Sequence, residues 1–353
     1  MKRILVISSS PFFSGAEISL MQLLEKIDTK YQLMLITGNV DHFKHIKMTK
    51  YLEIDSITDK VSWSSFLRKT FVINYKCFYQ IVKFKPEVIY FNTTNSFLNF
   101  IWLGILFFRT KKIWHVRDNL KNKKFIKKLK LFSNLIVCNS VFINNQLNAN
   151  FKGKVIYGGI DIDKYKNTNR QKKLKTVACI AQLTLWKNQI DFIKAAQIIH
   201  KKNAEVEFLI IGDILNPKDI KYKELLIEYV KNHDLVDVIK FVGFQNDVIM
   251  VLSEIDVLIH PAIEEPFGRV LIEAMSMEIP VVGYKSGGPQ EVIVNNETGY
   301  LVAPYDYALL ATKTTELLEN DDLRLKFGQE GRKRVAKKFY IEKYVNDMEK
   351  LFM

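Results

Sequence analysis

From end to end this chain alternates short β-rich runs with helical patterns, and few folds accept that rhythm. The strand candidates in the first half are Ile4–Ser8, Gln32–Ile36, Val88–Phe91, Ile113–Val116, Leu135–Cys138 and Lys154–Ile156. In the second half they are Thr176–Ala181, Glu207–Ile211, Ile239–Val242, Val257–Ile259, Pro280–Gly283 and Tyr300–Val302. Helical patterns fall between most of them and close the chain at Asp321–Lys338 and Ile341–Phe352. Strand, helix, strand in repetition means parallel sheets with crossover helices. With 353 residues the chain is longer than one core usually serves, so two doubly wound domains in succession are expected. The polar, lysine-rich Asp163–Lys175 reads as the linker. The expected division is residues 1–165 and 166–337, with a closing helix at about 338–353 packing back on the first domain. Open α/β sheets bind ligands at the carboxyl ends of their strands, so the cleft between two such sheets is the expected site.

Charge is distributed unevenly. Residues 1–168 hold 27 Lys and Arg against 11 Asp and Glu, a surplus of 16, while the remainder is nearly balanced. The first half is therefore expected to face something anionic. Cys77, Cys138 and Cys179 are far apart and match no zinc or redox spacing, which suggests a reducing compartment. The start of the chain passes from Ile4–Ile7 into Ser8-Ser9-Ser10 and reads as a first strand, not a signal peptide. The longest apolar stretch, Phe97–Phe108, is interrupted by Asn99 and is shorter than the roughly 20 residues that span a bilayer.

The chemistry concentrates at Glu265-Pro266-Phe267-Gly268-Arg269-Val270-Leu271-Ile272-Glu273. A strand ending at Ile259-His260-Pro261 precedes it, and Pro266 and Gly268 mark a helix start. Glu265 is then in the loop above the helix and Glu273 is inside it. The amides of Phe267, Gly268 and Arg269 point between them, and a helix N-terminus holds a phosphate without any metal. Carboxylates on either side accept hydrogen bonds from sugar hydroxyls. Acid, anion site and acid in that order suit a hexose, a diphosphate and a ribose, which is a nucleotide-sugar. The bland alternative is a solvated helix in which Arg269 pairs with Glu273 four residues on. Lys187, in a turn after a strand, can meet the diphosphate and the charge on a leaving nucleotide, or it is one exposed lysine among many. Asn92-Thr93-Thr94-Asn95 offers polar groups to an acceptor or forms a helix N-cap cluster, and the sequence leaves both open.

Taken as a set, these residues resemble glycosyltransferase family 4 (group 1), bacterial surface-polysaccharide type. Glu265–Met275 is similar to the family's donor signature. Gly287-Gly288-Pro289-Gln290-Glu291 resembles its Gly-Gly-x-x-Glu loop, and Thr298–Val302 the following turn and strand. Phe241-Val242-Gly243 resembles the strand end beside the base, and Ser14-Gly15-Ala16-Glu17 the first loop. Tyr157–Asp161 resembles the interdomain element, with Gly158 where Asn is usual. The resemblance covers nearly the whole chain and is strongest from about Thr176 to Pro304.

It implies the GT-B fold: two Rossmann-like doubly wound parallel-sheet domains facing across a cleft. It also implies Glu265, Lys187 and His115 as catalytic residues, with His115 facing the donor sugar and acceptor. Glu273, Gln182, Phe267, Gly268, Arg269, Gly243, Gly287, Gly288 and Gly15 are the implied donor-binding residues, the Gly287-Gly288 loop admitting the donor close to the backbone. Asn92, Arg117 and Asp118 are weaker acceptor-side candidates. Two departures stand out. Gln182 occupies the position of a common Arg and brings no charge, and Glu278 stands where Gly is frequent, a change expected to be structural.

The function implied is retaining transfer of a sugar from a UDP- or GDP-sugar to a glycan or lipid-linked acceptor, with no cofactor and no metal. The basic aromatic segments Lys69–Lys85, Arg109–Lys112 and Lys121–Phe132 suggest an anionic membrane surface as partner. That places the protein in the cytoplasm, peripheral at the inner face of the bacterial plasma membrane. Other readings are a catalytically weak glycosyltransferase-like partner protein, motivated by Gln182, and a dinucleotide-binding α/β enzyme. The latter lacks Gly-x-Gly-x-x-Gly after the first strand, where Ser8-Ser9-Ser10-Pro11 stands. A nucleic-acid partner rests on charge alone and is not expected.

Overall fold

Lys2–Ser8 is apolar along nearly its whole length, the pattern of a parallel strand covered on both faces. The computed structural model describes residues 1–27, 29–54, 75, 77–101, 106–120, 129–147, 153–166 and 175–353. In it, β1 (Lys2–Ser8) is central in a 7-stranded parallel sheet of order β3-β2-β1-β4-β5-β6-β7. The others are β2 (Tyr31–Thr37), β3 (Lys50–Glu53), β4 (Val88–Phe91), β5 (Lys111–Val116), β6 (Leu135–Cys138) and β7 (Gly153–Val155). Leu5 and Ile7 enter the core on one face, and Ile4 and Val6 that on the other. A second parallel sheet has 6 strands, β10-β9-β8-β11-β12-β13. Its members are β8 (Lys175–Ile180), β9 (Val206–Ile211), β10 (Ile239–Gly243), β11 (Val257–His260), β12 (Val281–Tyr284) and β13 (Gly299–Val302). Among the described residues, the one strand the sequence did not reveal is β3, a short edge strand reading KYLE, whose polar ends hide it.

The chain divides into two units, residues 1–159 with 341–353 and residues 160–340. Ile160 donates to the Phe339 carbonyl at 2.8 Å and pairs with Tyr340, which sets both ends of the second unit. Tyr165 is buried there and its carbonyl accepts from Arg332 Nη1 at 2.6 Å, so residues 160–165 belong to the second unit and not, as expected, to the first. The closing helix Ile341–Phe352 buries Ile341, Tyr344, Val345, Met348, Leu351 and Phe352. This is the i, i+3, i+4, i+7 stripe of an amphipathic helix, and it packs on the first unit beside the helix Gly15–Lys26. All three cysteines are free and buried, and burial pushes the Cys138 and Cys179 thiols up to about 12.

Two of the basic residues read as part of an anionic-surface-binding face are buried. Lys112 is buried with its ammonium on the Phe107 and Phe108 carbonyls, and Lys130 is buried on the carbonyl of Leu147. An ammonium with carbonyl acceptors tolerates burial. The remainder of that reading falls partly on 69–74, 76 and 121–128, outside the described residues.

The helix Arg269–Ser276 ends in a Schellman motif. Glu278 N–H reaches the Met275 carbonyl at 3.1 Å and Ile279 N–H the Ala274 carbonyl at 3.0 Å. The motif needs a left-handed residue, and Glu278 has φ 58. This gives the departure at Glu278 its physical meaning: a glycine there would be unstrained. Glu278→Gly should raise unfolding free energy by about 1 kcal/mol. Gly328→Ala should lower it by about 2 kcal/mol, because its Cβ would be 2.0 Å from the Glu278 carbonyl oxygen. Urea unfolding of both variants measures each sign.

Candidate functional site

In the second sheet the strand order reverses between β8 and β11, and the loops leaving these two strands carry the candidate residues. After β8 the chain makes a 3-10 turn, Leu185–Lys187, and Asn188 starts the next helix in the left-handed region at φ 56. Asn188 Nδ2 donates to Asp191 Oδ2 at 2.7 Å, and the Tyr284 hydroxyl donates to the same oxygen at 2.8 Å. These buried bonds fix the backbone just beyond Lys187. Ile263 N–H donates to the Trp186 carbonyl at 2.8 Å, joining the β8 loop to the β11 loop. The Lys187 ammonium lies 4.2 Å from the centre of the Trp186 ring.

The β11 loop is shaped by backbone contacts with the loop after β12. Glu264 adopts φ 51, and its N–H donates to Ser286 Oγ at 2.7 Å. Glu265 pairs with Gly287, and Gly288 N–H donates to the Glu265 carbonyl at 2.7 Å. A Cβ on Gly287 would meet that carbonyl oxygen at 2.3 Å, and one on Gly288 would meet Phe267 Cα at 2.4 Å. The space where a side chain would stand on either glycine is filled by the backbone of Glu265 and Phe267, so both glycines let the acidic loop seat closely.

Glu265 is buried, and a single oxygen carries its internal bonds. Oε2 accepts from Lys187 Nζ at 2.6 Å and faces His260 Nε2 at 3.1 Å. Oε1 makes no bond among the described residues. Burial alone would raise this carboxyl; the Lys187 charge, followed by the His260 contact, overrides it and holds the group well below the usual carboxylate range. His260 is pushed the other way by burial, so it is a neutral donor to a charged acid.

Glu273 repeats the pattern inside the helix. Its Oε1 accepts from Arg269 Nε at 2.8 Å, and its Oε2 has no bond among the described residues. Arg269 is thus paired with Glu273, the contact the bland reading expected. The Tyr165 hydroxyl completes this pair through a hydrogen bond with Arg269. Gly268 caps the helix at φ 87 without any side-chain cap bond. The helix therefore begins where the sequence placed it, between the two acids and with an uncapped N-terminus. Phe267 is buried with its ring 5.8 Å from that of Phe339. Gln182 lends its carbonyl to Gln189 Nε2 at 2.9 Å, and its own side-chain amide makes no bond among the described residues. Gly243 ends β10 at φ 77, with open space where a Cβ would be.

In the first unit the expectations fare differently. His115 is wholly enclosed. Alternation along β5 puts it with Ile113 on the face covered by the helix Ile341–Phe352, where Nδ1 meets the Tyr90 hydroxyl at 2.7 Å. Burial, and then Arg117, hold it neutral. Its Nε2 is buried without a partner among the described residues. Asn92 is also fully buried, donating to Ser8 Oγ and the Ala16 carbonyl, both at 3.2 Å. The neighbouring Thr93 is an N-cap, accepting from Ser96 N–H at 3.1 Å. Gly15 is the first residue of its helix, beside a capping box in which the buried Glu17 accepts from Ser14. Arg117 is buried and Asp118 is exposed. Sequence reasoning passed over His260 and Tyr165. The only signal for His260 was its place at the end of β11, five residues before the acid it orients.

Residues 161–334 match the family model described as Glycosyl transferases group 1. Among curated relatives, the chain is 28% identical over 203 residues to the capsular polysaccharide biosynthesis glycosyltransferase CapM of Staphylococcus aureus, covering 55% of this chain and 52% of that protein. It is 33% identical over 127 residues to N-acetyl-alpha-D-glucosaminyl L-malate synthase of Bacillus anthracis, covering 36% of this chain and 33% of that protein. These alignments reach about half or less of the length of either relative. Among solved structures, Anabaena Alr3699/HepE in complex with UDP and glucose superposes with a TM-score of 0.83 at 21% identity, covering 99% of both chains. The same protein with UDP-glucose gives 0.82 at 20% identity, again over 99% of both chains. The two parallel-sheet units are those of the GT-B fold, as expected.

The Lys187–Glu265 pair sets a pH dependence. A carboxyl held below its ordinary value near 4.5 contributes stability above that pH, and the contribution is lost as pH falls through the folded value. Lys187→Ala should therefore cost about 3 kcal/mol at pH 7, the low end for breaking a buried ion pair. The difference from the parent should shrink as pH drops below about 4.5. Denaturant unfolding at pH 7 and pH 4 measures it; an equal gap at both would contradict the assignment.

Proposed function

Since residues 161–334 belong to the Glycosyl transferases group 1 family, we propose that this chain is a retaining, family 4-type glycosyltransferase. It moves a sugar from a UDP- or GDP-sugar to a glycan or lipid-linked acceptor in bacterial surface-polysaccharide synthesis. The observation that carries this is the matched state of the two acids. Each has one oxygen held internally, by Lys187 and His260 or by Arg269, and one left without a protein bond, on either side of an uncapped helix start. The free oxygen of Glu273 accepts from ribose hydroxyls and that of Glu265 from hexose hydroxyls. The diphosphate rests against the helix N-terminus with Lys187 beside it, so negative charge building on the leaving group meets a fixed positive potential. The C1–O bond to phosphate breaks as the acceptor oxygen bonds C1 on the same face. The departing phosphate oxygen takes the acceptor proton, so no protein nucleophile is needed. His115, enclosed in the first core, has no part in this scheme.

HepE is bound to UDP and to UDP-glucose in its crystals, which favours UDP as the first nucleotide to test. CapM is a capsular polysaccharide enzyme by name, in keeping with a surface-glycan acceptor. Glu265→Gln should lower kcat by about 100-fold. Glu273→Gln should raise KM for the UDP-sugar by about 10-fold with a smaller effect on kcat. Both variants should keep a cooperative melt. NMR of the product should show a retained anomeric configuration, and dialysis against EDTA should leave the rate unchanged. Parental turnover in both acid variants would remove the basis of the proposal and favour a non-catalytic partner.

We place the first unit at an anionic membrane surface on the cytoplasmic side. No helix among the described residues is long and apolar enough to cross a membrane. Tyr75, Tyr79, Leu106, Phe108 and Leu131 are largely exposed, in segments that also carry Lys83, Lys85 and Arg109. Aromatic side chains among cations suit an interfacial depth. The protein should float with phosphatidylglycerol vesicles at low salt, and Tyr79→Ser with Phe108→Ser should weaken this several-fold. Parental flotation by that double variant would rule this surface out.

A further inference from the structure

We propose that Arg117 anchors a phosphate group carried by the acceptor. This rests on the reading of the chain as a glycosyltransferase whose acceptor binds the first unit. Arg117 follows the last residue of β5, at the carboxyl edge of the first sheet where ligands of open α/β sheets bind. It is 8% exposed. Its Nη2 donates to the Tyr344 hydroxyl at 2.9 Å and to the Tyr90 hydroxyl at 3.5 Å. Its Nε is buried without a partner, and its Nη1 makes no bond among the described residues. Both partners are phenol hydroxyls, and burial keeps the Tyr90 phenol protonated. Asp118 is within electrostatic reach but forms no ion pair with it. A guanidinium taken out of water without a carboxylate is costly, and folded proteins rarely keep one unless something else supplies the negative charge.

Neighbouring atoms show the same incompleteness. His115 Nε2 and Asn139 Oδ1 are also buried without a partner, and Asn139 Nδ2 donates to the Arg117 carbonyl at 3.3 Å. His115 is neutral, so among the described residues the cluster carries the Arg117 charge with no ion pair to balance it. The surplus of 16 positive charges in residues 1–168 favours a doubly charged group over a singly charged one. The planar fork of a guanidinium suits phosphate oxygens. Tyr344, on the closing helix, is the positioning residue: its hydroxyl turns Nη2 inward and leaves Nη1 for the ligand.

The test uses the full chain saturated with UDP, so that the donor site is occupied, and titrates phenyl phosphate by isothermal calorimetry. The parent should take up one equivalent. Arg117→Gln should weaken it at least 10-fold with UDP affinity unchanged, Tyr344→Phe should weaken it about 3-fold, and Lys187→Ala should leave it intact while losing UDP. Phosphatidylcholine vesicles containing phosphatidic acid form a second arm. Arg117-dependent binding stronger than that of phenyl phosphate assigns the phosphate to a lipid-borne acceptor, and weaker binding assigns it to a soluble one. The proposal is overturned if the UDP-saturated parent takes no phosphate, if Arg117→Gln binds it as the parent does, or if glucuronate binds more tightly than phosphate. Should Arg117→Gln fail to fold, parental affinity in both Arg117→Lys and Tyr344→Phe overturns it equally. Loss of UDP binding in the parent would instead count against the glycosyltransferase reading.

Discussion

One carboxylate oxygen holds the second unit's site together. Lys187 comes from the loop after β8, Glu265 from the loop after β11 and His260 from the end of β11 itself, and all three meet at Glu265 Oε2. The ion pair thus closes the crevice floor at the strand-order reversal, which is where a doubly wound sheet has an opening to close. Because both donors choose the same oxygen, the other is left for a substrate. Because His260 is neutral, the acid is oriented without a second charge. The glycines at 287 and 288 serve the same end, letting a neighbouring loop lie against the backbone of Glu265 and Phe267.

The first sheet obeys the same topology and uses it differently. Its order reverses between β1 and β4, and there the polar groups are spent on one another. Ser8 Oγ donates to Glu17, Asn92 donates to Ser8, and Ser9 N–H and Asn99 Nδ2 extend the network. Glu17 itself is pushed up by burial. Of the buried polar atoms there, Thr94 Oγ1 is left without a partner, and more such atoms lie farther along the edge, at the ends of β5 and β6, where Arg117, His115 and Asn139 are.

What the sequence revealed follows from what kind of signal each feature leaves. Buried parallel strands leave continuous apolar runs, so every strand but β3 could be read directly. Glu265 and Glu273 were legible because Pro266 and Gly268 fix a helix start between them. Side-chain direction leaves no such trace. His115 and Asn92 look like polar groups at strand ends, yet both are buried, His115 beneath a helix from the far end of the chain and Asn92 against Ser8 and the Ala16 carbonyl. The closing helix was visible as a pattern, but not which residues it would cover. Lys112 and Lys130 read as part of a cationic outer face because nothing local announces a carbonyl that will accept them.

Under the proposed function, charge balance gives a reason why a whole nucleotide-sugar, and not any small anion, would suit the second unit. Empty, the site holds two matched pairs, Lys187 with Glu265 and Arg269 with Glu273, and no spare cation among them. With Gln182 in place of a basic residue, an incoming diphosphate meets the helix N-terminus, an amide and a lysine it must share with Glu265. Sharing weakens the ion pair unless the sugar compensates the acid with a hydroxyl at its free oxygen. Ribose makes the same offer at Glu273. An isolated phosphate brings the charge without either hydroxyl, so it must loosen Lys187 from Glu265 with nothing to replace the lost contact. On that reading, selectivity for the complete donor would follow from the way the acids are paired, before any contact to the base is considered.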